Sequence, residues 1–194
     1  MKKLTLGSLC SGYGGLDLAI EAEFDAETLW VSDIDPAACK ILEARFPEAH
    51  NIGDMTTVDW SEVPPVDILS GGTPCQDLSS AGRRAGMTEG TRSNLWVSMR
   101  EAISVIRPSL VVWENVRGAL SAKATSDSDM GSGEGSMDTG QLRALGRVLG
   151  DLSDLGYDAE WTLIPASGVG APHRRERVFV LAWPSADSGS LTNG

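Results

Sequence analysis

Short apolar runs alternating with helix-like segments constrain this chain more than any other feature. The stretches 4–9, 28–32, 50–52, 66–70, 109–113, 160–164 and 178–182 have strand length and apolar character. Between them, 15–24, 36–46, 94–106 and 141–155 read as helices, the second opening on a proline and the last stopped by Gly156. Strands that are apolar on both faces need cover on both faces, and crossover helices provide it. The expected fold is therefore α/β: a doubly wound, mostly parallel, Rossmann-like sheet that begins βαβαβ.

At 194 residues the chain is long enough for one substantial core. The expected layout is one domain over 1–184 with a flexible loop at about 122–140, rich in Ser, Gly, Asp and Thr, and a polar tail at 185–194. Hydrophobic residues make up 41% and charged residues 22%, as in a soluble globular protein. No apolar run approaches the ~20 residues of a membrane helix, so no membrane partner is expected. The start resembles a lipoprotein leader, with two lysines, apolar residues and then Cys10, but its apolar stretch is too short, and a glycine-rich turn follows. It reads as a buried strand without a targeting signal. The 3 cysteines, Cys10, Cys39 and Cys75, show no C-x-x-C spacing, and the 2 histidines show no paired ligand spacing. This points to a reduced, cytoplasmic setting with no metal.

The glycine turn Cys10-Ser11-Gly12-Tyr13-Gly14-Gly15 joins the first strand to the first helix, where backbone amides can approach a ligand closely. A tight turn with no ligand would leave the same trace. Asp33 and Asp35 follow about 20 residues later, where doubly wound folds place a ribose-binding acid. The departure from G-x-G-x-x-G favours S-adenosylmethionine over NAD. Asp54 suits either an adenine amino group or a capping role. Cys75, in Gly71-Gly72-Thr73-Pro74-Cys75-Gln76, sits in a loop at the carboxyl end of the sheet. Glu114 emerges at the end of the fifth strand and needs a partner to be buried; Arg175 or Arg177 is available in Pro172-His173-Arg174-Arg175-Glu176-Arg177. A structural ion pair would look the same. The tryptophans read as core or rim.

Gly-x-Gly-Gly, Pro-Cys-Gln, Glu-Asn-Val and Arg-x-Arg, in that order between about Leu4 and Ala182, resemble the cytosine carbon-5 DNA methyltransferases. The resemblance implies a sheet of the S-adenosylmethionine-dependent methyltransferase type, S-adenosyl-L-methionine as cofactor and double-stranded DNA as partner, in a bacterial or phage-infected cell, with a restriction-modification setting among those it suggests. It implies that Cys75 attacks carbon 6 of a flipped cytosine and that Glu114 holds ring nitrogen 3. Arg175 would hold the base and orient the glutamate, with Arg177 in support. Gly12, Tyr13 and Gly15 would line the cofactor turn with Cys10, which stands where a phenylalanine is usual. Asp33 and Ile34 would meet the ribose side, Asp54 and Met55 the adenine, and Pro74 and Leu95 would close the pocket. Gln76, Ser79, Arg83 and Arg92 are the implied DNA contacts.

The net charge of −11 opposes binding to phosphates, unless the arginines at 83–92 and 174–177 form a local basic face. Relatives continue into a target-recognition region and a returning helix, so the resemblance implies an incomplete or split enzyme with a second polypeptide for recognition. The alternatives are a non-catalytic S-adenosylmethionine-binding remnant or decoy module, and a tRNA cytosine methyltransferase.

Overall fold

The computed structural model describes residues 2–73, 94–120 and 144–186. Among these residues seven strands form one sheet: β1 (Leu4–Leu9), β2 (Ala26–Ser32), β3 (His50–Asn51), β4 (Ile68–Gly71), β5 (Leu110–Val116), β6 (Tyr157–Pro165) and β7 (Glu176–Pro184). Their order is β3-β2-β1-β4-β5-β7-β6. The first five run parallel, and β7 inserts antiparallel between β5 and β6. The doubly wound, mostly parallel expectation holds. Among the described residues four α-helices accompany the sheet: α1 (Gly15–Phe24), α2 (Pro36–Arg45), α3 (Asn94–Ile106) and α4 (Ala144–Asp154).

Local chemistry explains the boundaries. Gly14 precedes α1 in the left-handed region at φ 73°, and a Cβ there would lie 2.5 Å from the Phe46 ring, so both conformation and space demand glycine. Asp35 caps α2 by accepting from the amides of Ala37 and Ala38, and Pro36 gives up an amide that the first turn would leave unpaired. The second acid after β2 therefore serves the helix. Strands β5, β6 and β7 run longer than their apolar runs because paired neighbours carry the ladder past the last apolar residue, and Glu114 lies within β5.

The larger core lies between the sheet and helices α3 and α4, built around Trp96, Met99, Ile103, Trp113, Val148 and Leu152. A smaller cluster of Leu6, Ile20, Ala26, Ile68 and Val112 lies under α1. Each such side chain stabilises by about 1.5–3 kcal/mol when fully buried. Helices α3 and α4 are also joined by a polar clamp. Asp151 accepts from Trp96 Nε1 at 2.7 Å and from Arg147 Nε at 2.8 Å, with Arg100 Nε at 3.6 Å. The strand order reverses between β1 and β4, where an open sheet leaves a crevice beyond its carboxyl ends. The whole loop expected at 122–140 and most of the tail lie outside the described residues. Among the described residues, no helix is long and apolar enough to cross a membrane.

Candidate active site

The glycine turn fills one side of that crevice. Gly12 has φ 56°, and a Cβ at Gly12 or Gly15 would meet nothing within 4 Å, so both glycines border open space that a ligand can enter. Asp33 Oδ2 accepts from the Gly12 amide at 2.7 Å and Oδ1 accepts from the Asp35 amide at 2.9 Å. The acid expected at the ribose thus first braces the turn, and its remaining lone pairs stay available. Tyr13 and Ile34, expected on the cofactor side, are 61% and 71% exposed.

Cys10 stands at φ 51°, with Sγ 3.5 Å from Met55 Sδ. Burial, followed by the negative charges of Asp33 and Asp54, pushes its thiol up to about 12. At that value the thiol stands neutral, and it lines the cavity. Asp54 Oδ1 accepts from the amide and hydroxyl of Thr56, which holds its carboxyl below the usual range. No helix begins at Asp54 for it to cap; its bonds to Thr56 close a side-chain turn in the loop between β3 and β4. Leu95 packs, partly buried, against the larger core.

Glu114 supplies the other side. Its Oε1 lies 2.5 Å from Arg177 Nε, with both side chains mostly buried. Glu114 pairs with Phe179 across the β5–β7 ladder and Val116 pairs with Arg177, so the antiparallel strand brings the arginine onto the glutamate's face. Of the two candidates, Arg177 makes the contact. Arg175 is exposed, and its amide approaches His173 Nδ1 at 3.4 Å. Burial raises the Glu114 carboxyl above its usual range, opposed by the charge of Arg175. The direct Arg177 contact also favours the ionised form. Gly72 leaves room for this carboxylate, since a Cβ there would lie 3.4 Å from Oε2.

Two neighbours of Glu114 hold the entry to the cysteine segment. Trp113 Nε1 donates to Thr73 Oγ1 at 2.9 Å, and Asn115 Nδ2 donates to the Thr73 carbonyl at 3.1 Å. All three residues are buried. Sequence reasoning passed over both contacts: Trp113 read as core, and the only signal for Asn115 was an amide that must find a partner in a buried strand. Pro74, Cys75, Gln76, Ser79, Arg83 and Arg92 lie outside the described residues. A cavity of about 440 Å³ joins the two sides, with Cys10, Ser11 and Gly15 at the turn and Gly72, Glu114 and Phe179 opposite.

One wall thus offers open glycine backbone and the other a raised carboxyl paired with an arginine. The family model described as C-5 cytosine-specific DNA methylase matches residues 4–188. The chain belongs to this family. S-adenosyl-L-methionine is the methyl donor of C-5 cytosine methylases. The chain is 30% identical to the type II methyltransferase M.NgoBV of Neisseria gonorrhoeae, over 93% of this chain and 41% of that protein. It is also 30% identical to a protein of Escherichia phage P1 named DNA N-6-adenine-methyltransferase, over 99% of this chain and 30% of that one. The chain therefore spans less than half the length of these relatives. Its fold matches the S. pombe Dnmt2 methyltransferase structure with a TM-score of 0.69 at 19% identity, covering 94% of this chain and 51% of that one.

Proposed function

We propose that this methylase transfers a methyl group from S-adenosyl-L-methionine to carbon 5 of a cytosine flipped out of duplex DNA, through a transient covalent bond to Cys75. The observation that carries the reading is the Glu114–Arg177 pair facing the glycine turn across one cavity. A raised carboxyl can hydrogen-bond ring nitrogen 3 and draw electrons from carbon 6, where a thiolate adds. Arg177 orients that carboxyl; Arg175, exposed and acting on Glu114 through its charge, serves the base. When bound, the cofactor supplies the methyl group. The open backbone at Gly12 and Gly15, with Asp33 and Asp54 nearby, is the donor set that suits it.

A base within a duplex is out of reach of any such site unless it is extruded. The test is transfer of tritiated methyl to mixed-sequence duplex DNA and, in parallel, to tRNA, with the labelled nucleoside identified. 5-Methylcytosine in DNA, lost in Cys75→Ser, is the expected result. Label that survives Cys75→Ser overturns the covalent route, N6-methyladenine overturns the cytosine assignment, and label confined to tRNA overturns the DNA assignment.

A further inference from the structure

The floor of the cavity holds a group that the proposed chemistry does not use. Asp17, in the first turn of α1, lines the cavity and is only 1% exposed. Its Oδ1 accepts from Ser70 Oγ on β4 at 2.8 Å, whereas its Oδ2 is buried with no hydrogen-bond partner. An unpartnered buried oxygen is costly and calls for a reason. The groups facing it are Ser8 of β1, Ser70 of β4 and Glu21 of its own helix, and the cavity it borders also holds Cys10 and the Arg177-paired Glu114. The neighbouring charge that acts on Asp17 is that of Glu21, which is also negative.

Resting on the reading of this cavity as the methyl-donor site, we propose that Asp17 distinguishes the sulfonium form of the donor from the neutral thioether left after transfer. It releases its proton to solvent when the cationic form occupies the cavity. A donor seated on the glycine turn and delivering methyl toward Glu114 carries its charged sulfur in the space that Asp17 borders. In so poorly solvated a site a permanent cation favours the carboxylate without direct contact. Burial, the first cause, and the charge of Glu21 raise the Asp17 carboxyl against the hydrogen bonds from Ser8 and Ser70, which favours the protonated form. Transfer removes the methyl and with it the positive charge, Asp17 takes a proton back from solvent, and the product loses the electrostatic hold its precursor had. The cationic ligand should therefore bind more tightly as pH rises through the Asp17 titration, while the neutral one should not.

The test is titration calorimetry of the full chain with S-adenosylmethionine and S-adenosylhomocysteine, in buffers of different ionisation heat, from about pH 5 to about pH 8. Proton release is expected with the sulfonium ligand and not with the thioether. Asp17→Asn should abolish the release and cut the preference for the sulfonium by about tenfold, the equivalent of one pKa unit. Glu114→Gln should keep both. Equal release with the two ligands, or release lost in Glu114→Gln and kept in Asp17→Asn, overturns the proposal. Because the comparison of ligands in the unaltered chain needs no variant, poor folding of Asp17→Asn leaves it decided. Failure of the unaltered chain to bind either ligand overturns the donor-site reading itself.

Discussion

At the scale of single residues, the pairing of Glu114 with Arg177 rather than Arg175 makes a sharp prediction. Arg177→Leu leaves a mostly buried carboxylate without its counter-charge and should lower stability by about 1–3 kcal/mol, read as a shift in urea midpoint. Arg175→Ala, at an exposed position, should stay within about 0.5 kcal/mol. Asp17 gives a second prediction. Its carboxyl is raised in the folded state, so above the ordinary carboxyl range the folded protein holds a proton that the unfolded chain has lost. The contribution is fully present at low pH and disappears as pH rises through the folded value. Asp17→Asn should therefore gain stability relative to the unaltered chain as pH rises, in urea titrations at about pH 5 and about pH 8. The sequence led to Glu114 and to two possible partners but could not choose between them, because the choice depends on which arginine the antiparallel register places beside β5. Asp17 was hidden for a different reason: it reads as one more acid in the crowded 17–35 stretch, and only the packing of α1 over Ser8 and Ser70 shows that it faces inward.

At the scale of elements, the boundaries of α1 and α2 were legible because glycine, aspartate and proline each solve a definite backbone problem. The antiparallel insertion of β7 was not, since an apolar run states that a strand is buried but not which way it points. Gly14→Ala should damage the junction twice, through its left-handed backbone and by driving a Cβ against Phe46. A loss of about 1–3 kcal/mol is expected, with weakened cofactor binding in the same calorimeter. The α3–α4 clamp is more local: Asp151→Ala takes the shared acceptor from Trp96, Arg147 and Arg100. It should cost about 3 kcal/mol, with earlier amide exchange in α4.

At the scale of the whole molecule, net charge bears on the proposed association with DNA. With a net charge of −11, the chain alone should bind duplex weakly. Between about 50 and 200 mM salt its affinity should fall by much less than the ~10³-fold of a protein making many phosphate contacts, as fluorescence anisotropy would show. Recognition of the fold from sequence worked at this scale because the alternation of strand and helix is a property of the entire chain. The site was only partly legible, because Glu114 gains its meaning from a strand far downstream. That separation also imposes an order on biosynthesis. A ribosome releases β5 well before β7, so Glu114 waits without its counter-charge until β7 emerges and pairs. On the reading proposed above, a nascent chain that has β5 but not β7 carries the glutamate without the arginine that orients it, so the pair is complete only once β7 has been made.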